Sequence, residues 1–301
     1  MLKIACHNVY KHPLPEGHRF PMLKYELLPQ QLLHEGTCTP ENFFEPEHML
    51  DETPILAVHD AEYFYDLLNI TLDKRAARKI GFSLSEVLVE REITIADGTI
   101  KASEFALKHG IAMNIAGGTH HAYADRGEAF CMLNDQAIGA RFLQKNKLAN
   151  KILIVDLDVH QGNGTAKIFQ EDTSVFTFSM HGKGNYPFKK EQSNLDIPLE
   201  NNTDDGTYLK ILKETLPKLI DEQNPDFIYY LCGVDVLTSD KLGKLGLTLS
   251  GCKERDRFVL QTCKNYNLPV MCSMGGGYSA DIKVIIEAHA NTFRLAQAIF
   301  F

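Results

Sequence analysis

Residues 151–164 read Lys-Ile-Leu-Ile-Val-Asp-Leu-Asp-Val-His-Gln-Gly-Asn-Gly, and this stretch decides the architecture. Lys151–Val155 is an apolar run too short for a helix and without the alternation of a strand wet on one face. It reads as a strand buried on both sides, the environment of a parallel sheet covered by helices. Polar residues are held back to its carboxyl end, where Asp156, Asp158 and His160 stand two apart. If the strand continues through them, their side chains share one face, and Leu157 and Val159 take the other.

The same grammar recurs on either side. Ala112–Ile115, Val175–Phe178, Phe227–Leu231 and Val270–Met274 are strand-length apolar runs, of which only Val175–Phe178 alternates, and weakly. Helical periodicity fills the intervals at Ile138–Lys147, Thr207–Glu222, Lys253–Tyr266 and Ile282–Phe300. Strand alternating with helix predicts an α/β fold, a mainly parallel central sheet with helices on both faces. The first hundred residues are less regular: Met22–Leu33 and Glu62–Leu68 look helical, and Pro13, Pro15, Pro21 and Pro29 punctuate a loop-rich entry. With no internal repeat and no Gly-, Ser- or Pro-rich linker, residues 1–301 are expected to form a single domain.

Open parallel sheets bind ligands beyond the carboxyl ends of their strands. Those ends deliver Gly117-Gly-Thr-His-His-Ala122, Asp156 to Gly164, Ser179-Met-His181, Cys232-Gly-Val-Asp235 and Gly275-Gly-Gly-Tyr278. Histidines, carboxylates, a tyrosine and glycines thus converge on one rim. Two carboxylates and an imidazole on a buried strand are costly unless a partner compensates them. A divalent cation is the natural one, and mixed N and O donors suit zinc. Asp235 can add an anionic ligand from another strand end, leaving a fourth position open for catalysis; alone it could equally cap a turn. The tandem His120-His121 suits acid–base work near neutrality, against the plainer reading of one buried and one exposed imidazole. The Tyr278 hydroxyl can donate to a developing oxyanion.

Composition narrows the class. The net charge of −8 excludes a general nucleic-acid binder, which needs a basic field. Seven cysteines without a CxxC pair, and no signal-like leader, predict free thiols in a cytoplasmic protein. No apolar stretch approaches membrane-spanning length, so no membrane partner is expected. Gly162-Asn-Gly164-Thr-Ala-Lys167 follows a strand but carries lysine where the dinucleotide fingerprint needs its third glycine or alanine, so no nucleotide role is expected.

Taken in order, the motifs resemble the zinc-dependent histone deacetylases, most closely the class IV branch and its bacterial relatives. The matching stretches are His18-Arg-Phe-Pro-Met22, Gly117 to Ala122, Asp125-Arg-Gly127 with Phe130-Cys131, and Asn134-Asp135; then Val155 to Gly164, Gly233-Val-Asp235 with Asp240-Lys-Leu-Gly243, and Gly275 to Tyr278. They span nearly the whole chain. The resemblance implies the arginase/deacetylase fold with an eight-stranded sheet. It implies Asp158, His160 and Asp235 as ligands of a zinc ion, with ferrous iron as an alternative. His121 would be the general base toward the hydrolytic water, His120 its electrostatic or acid partner oriented by Asp156, and Tyr278 the donor to the carbonyl oxygen. A potassium ion would use Asp156 and Ser179, with main-chain oxygens of Asp158, His160 and Met180. Phe130, Tyr186, Gly118 and Gly276 would line a narrow substrate tunnel.

One departure stands out: many relatives carry aspartate where this chain has Asn163, the expected partner of His121. A neutral amide fixes the tautomer but stabilises imidazolium less than a carboxylate does.

The expected activity is hydrolysis of acetyl or longer acyl groups from lysine side chains. Acetylated polyamines or other small N-acyl amines are the alternative substrates, and a non-catalytic acyl-lysine-binding pseudoenzyme is the alternative of another class. A two-metal ureohydrolase on the same fold needs carboxylates where Gly162 and Leu237 stand.

Overall fold

The computed structural model describes residues 1–47, 49 and 51–301. Eight strands form one sheet in the order β2-β1-β3-β8-β7-β4-β5-β6, every neighbouring pair parallel. They are β1 (Lys3–Ala5), β2 (Phe43–Phe44), β3 (Ile111–Asn114), β4 (Ile152–Asp156), β5 (Val175–Gly182), β6 (Leu195–Leu199), β7 (Phe227–Leu231) and β8 (Val270–Ser273). The helices are α1 (Lys24–His34), α2 (Thr53–Leu56), α3 (Ala61–Leu68), α4 (Lys74–Ile80), α5 (Glu86–His109), α6 (Asp135–Lys145), α7 (Asn163–Ile168), α8 (Asp205–Gln223), α9 (Leu249–Asn265) and α10 (Ile282–Phe300). The expected α/β architecture holds, and the sheet is wholly rather than mainly parallel.

The five expected strands occupy the middle of the sheet, and β3, β4, β7 and β8 are buried at every residue. Burial on both faces explains their unbroken apolar runs. The three strands not foreseen are peripheral and weakly marked. β1 has three residues and β2 has two, and β6 is a half-exposed edge strand carrying Pro198.

One reading needs correction. β4 ends at Asp156, and residues 158–160 form a bend, so the strand alternation does not extend to Asp158 and His160. Both side chains are buried, held by local hydrogen bonds: Asp158 N–H donates to Asp156 Oδ1 (3.1 Å) and His160 N–H to Asp158 Oδ1 (2.9 Å). Each carboxylate caps the backbone two residues on, which folds the chain end back toward the sheet.

Candidate metal centre

β4 and β7 are adjacent in register, Asp156 opposite Leu231, so the loops after them emerge side by side. This brings Asp158, His160 and Asp235 together: one ligand atom from each lies within 4.8 Å of the others, and all three residues are buried. His160 Nδ1 lies 3.0 Å from Asp158 Oδ1 and 3.2 Å from Asp235 Oδ2. Asp235 Oδ1 accepts the Val159 N–H (3.0 Å), and Asp158 Oδ2 accepts that of Gly276 (2.9 Å).

Asp235 Oδ2 is buried yet has no hydrogen bond among the described residues. An orphaned carboxylate oxygen aimed at a second carboxylate and an imidazole is costly by itself and is satisfied by a cation. Burial, reinforced by the Asp158 charge, pushes the Asp235 carboxyl up. The two carboxylates outweigh burial at His160 and carry it up to about 10. The donor set, two oxygens and one nitrogen, fits a divalent ion of the zinc class. Gly276 leaves the room: a Cβ there would collide with Asp235 Oδ2 and stand 2.7 Å from Asp158 Oδ2.

The histidine pair sits on the loop after β3. Gly118 has φ +76°, and an added Cβ would lie 2.9 Å from Gly275 Cα, so glycine is required there. Asp135 pins the loop, its Oδ1 accepting the N–H of Gly118 and of Thr119 (2.9 Å each). His120 and His121 lie with ring centroids 4.1 Å apart and both are buried, not one inside and one out. His120 Nδ1 donates to Asp156 Oδ2 (2.7 Å), and His121 Nδ1 to Asn163 Oδ1 (2.5 Å). Both Nε2 atoms are thereby left as the free nitrogens. Burial acts against protonation of both rings. At His120 the Asp156 charge reverses it, and the value is raised. At His121 burial and the neighbouring His120 and His160 hold it well below the ordinary value, against the opposing hydrogen bond from Asn163.

Asn163 has a further partner that the sequence did not disclose. Its Nδ2 donates to Tyr123 Oη (2.9 Å), whose hydroxyl donates to Glu191 Oε1 (3.2 Å). This chain orients the amide, so its oxygen faces His121. A second unforeseen residue is Arg255 on α9, fully buried, whose Nη1 donates to Leu157 O (3.1 Å) and Gly233 O (2.7 Å). It ties together the two strand ends that deliver Asp158 and Asp235. Its place in an ordinary helical pattern gave no signal.

Tyr278 lies 6.5 Å ring to ring from His160, and its backbone N–H donates to Asp240 Oδ2 (2.6 Å). Its hydroxyl has no hydrogen bond among the described residues. Phe130 and Tyr186 face the same opening. Tyr186 meets His121 edge-on at 5.0 Å and donates its hydroxyl to Glu128 Oε2 (2.6 Å), and Phe130 packs on Phe20 and Tyr278. Asp156 and Ser179 are register partners on β4 and β5, with Ser179 Oγ 2.9 Å from His181 Nδ1. Ser179, expected beyond the strand end, lies within β5 because that strand runs on to Gly182.

Fold and site together define a parallel-sheet α/β protein with a buried, metal-capable carboxylate–histidine cluster at its strand ends. Residues 18–293 match the histone deacetylase domain family, and the chain belongs to that family. It is 44% identical to an uncharacterized protein of Picosynechococcus sp. PCC 7002, over 99% of each chain. It is 28% identical to the acetoin utilization protein AcuC of Staphylococcus aureus, covering 92% of this chain and 77% of that one. The crystal structure of an HDAC homologue complexed with SAHA shares the fold, with TM-score 0.85, 23% identity, and coverage of 99% of this chain and 84% of that one. Among the described residues no helix is long and apolar enough to cross a membrane.

Proposed function

We propose that residues 1–301 form one catalytic domain that hydrolyses acyl-lysine amides, removing acetyl or longer acyl groups from protein side chains. Membership in the deacetylase family supports the hydrolase class. The observation that carries the reading is the orphaned Asp235 Oδ2 beside Asp158 and His160, with His121 and Tyr278 bordering the same cavity.

Asp158, His160 and Asp235 would hold the cation, zinc by donor chemistry, with ferrous iron an alternative. When bound, such an ion polarises an amide carbonyl and makes a water more acidic. His121, held neutral by burial and with Nε2 free, is placed to accept the proton of the hydrolytic water. Asn163 holds its Nδ1–H. His120, kept cationic more readily by Asp156, provides positive charge beside the site and a proton for the departing amine. The Tyr278 hydroxyl donates to the carbonyl oxygen as charge develops, worth about 3 kcal/mol. Phe130, Tyr186, Gly118 and Gly276 wall the tunnel for the alkyl chain. Asp156 and Ser179 are proposed to border a potassium ion, and Gln161 with Asn163 supports the class IV assignment. Seven free cysteines support a reducing, cytoplasmic setting.

A panel of acetyl- and longer acyl-lysine peptides, assayed with the zinc- and iron-loaded protein, tests this. Release of the acyl carboxylate, leaving a free side-chain amine on the peptide lysine, is expected, with Tyr278→Phe slowed about 100-fold, the effect of losing one oxyanion donor. Absence of cleavage across the panel with either metal would overturn it.

A further inference from the structure

We propose that the tunnel mouth selects acyl-lysines carried in acidic peptide segments; the inference rests on the hydrolytic reading above. The mouth is a depression of about 350 Å³ whose rim carries Arg19, Lys79 and Lys244, with Phe188 beside them. No carboxylate is among its described lining residues. Arg19 lies over the Phe130 ring at 4.9 Å, and Lys244 Nζ donates to Gly184 O (2.9 Å). Neither has a carboxylate within ion-pair distance among the described residues, and both side chains are exposed.

Two acids close to the mouth, Glu128 and Asp240, are already engaged. Glu128 lies 4.0 Å from Lys79, but it accepts from Tyr186 and from Arg126 Nε (3.1 Å). Asp240 is folded behind Tyr278, where it accepts the N–H of Tyr278 (2.6 Å), Leu242 and Gly243 (2.8 Å each). Three cations and no carboxylate among the described lining residues make a local positive field on a chain whose net charge is −8. Such a field acts on whatever flanks the entering side chain, because the acylated lysine itself is uncharged. Asp and Glu flanks are attracted. Acetylated polyamines and basic tails are repelled. Phe188, 90% exposed at the same edge, offers an apolar contact to the carrier peptide.

The test compares peptides with one acyl-lysine flanked by Glu, Gln or Lys, together with acetylated spermidine, on the zinc-loaded protein. In the native protein the kcat/KM ratio of Glu- to Lys-flanked peptide should be about 10 at low salt and shrink several-fold at about 0.5 M salt. In the Arg19→Glu/Lys244→Glu variant it should fall below one. Each ratio is taken within one protein, so a folding defect cancels. A native ratio near one or below it overturns the proposal, as does faster turnover of acetylated spermidine. If no peptide is cleaved, the hydrolytic reading fails, and dissociation constants from fluorescence anisotropy decide the mouth separately. Tighter binding of the Glu-flanked peptide sustains the charge selection, and equal binding refutes it.

Discussion

Burial sets the direction of the His121 shift, and Asn163 opposes it only as a neutral hydrogen-bond acceptor. With a neutral amide on Nδ1, burial and two neighbouring imidazoles hold His121 well below its ordinary value. In Asn163→Asp the new carboxylate stabilises imidazolium, so the base stays protonated to higher pH. The acidic limb of the kcat/KM profile should therefore move to higher pH; a limb that stays in place contradicts this account. Orientation matters as much as charge. Tyr123→Phe removes the acceptor of Asn163 Nδ2 and lets the amide rotate away from His121. A hydrogen bond of this kind is worth about 1 kcal/mol, so kcat should fall several-fold while KM changes little. Gly276→Ala acts on the cradle itself: the added methyl enters the space between Asp158 and Asp235. The purified variant should retain its fold by circular dichroism and lose its metal by elemental analysis.

At the scale of elements, the cluster depends on two loops held in register by α9. Arg255 is paired with Asp256, which also accepts the Tyr230 and Thr292 hydroxyls. Arg255→Leu strands three main-chain carbonyls and leaves Asp256 buried without its cation. Breaking a buried pair from one side costs about 3–5 kcal/mol, visible as a lower urea midpoint together with weaker metal retention. α1 and α10 are joined differently, through Arg294 on α10 to Glu35 at the C-cap of α1, while Arg294 also holds Glu287 on its own helix. The Arg294 bonds hold Glu35 down at about 2. A folded value below the unfolded one adds stability above about pH 4.5, lost as pH falls through about 2. Solvent screening keeps it to about 1 kcal/mol. Arg294→Ala should lose that increment at pH 7 and show a smaller loss than the native protein between pH 4.5 and 2.

For the whole molecule, acid sensitivity near neutrality is expected from His59. It is buried, and its Nε2 accepts the Asn134 N–H (2.9 Å), the N-cap residue of α6. Burial lowers it to about 4. Between that value and the ordinary one near 6.5 the unfolded chain binds the extra proton, so stability declines as pH falls through this window and levels off below it. His59→Gln removes the titration. Its urea midpoint should vary less between pH 7 and 4 than that of the native protein, by an amount equivalent to at most about 3 kcal/mol. An unchanged pH dependence would place the acid sensitivity elsewhere.

How far this architecture is legible without coordinates depends on the kind of signal each residue carries. The central strands are recognisable because burial on both faces demands unbroken apolar runs, and the site residues because polar groups at the ends of such runs have few other reasons to be there. α5 shows the opposite case. Ser85 caps it and Gly110 ends it in the left-handed region, yet its 24 residues show no clean stripe. It is buried along most of its length, with Arg91, Glu92, Thr94, Asp97, Thr99 and Ser103 facing the interior. A helix surrounded by protein loses the polar face that periodicity detects.

Local order along the chain thus determined the strand–helix alternation, the rim on which the site stands and the residue types gathered there, since these depend on periodicity and on the cost of burying charge. Only the tertiary structure decided that Asp158 and His160 come from a bend, that Tyr123 and Glu191 back Asn163, that Arg255 clamps the strand ends, and that three cations ring the mouth. The bend rests on hydrogen bonds between residues two apart that the apolar pattern does not encode; the others join residues distant along the chain, whose closeness in space is set by how the helices pack on the sheet.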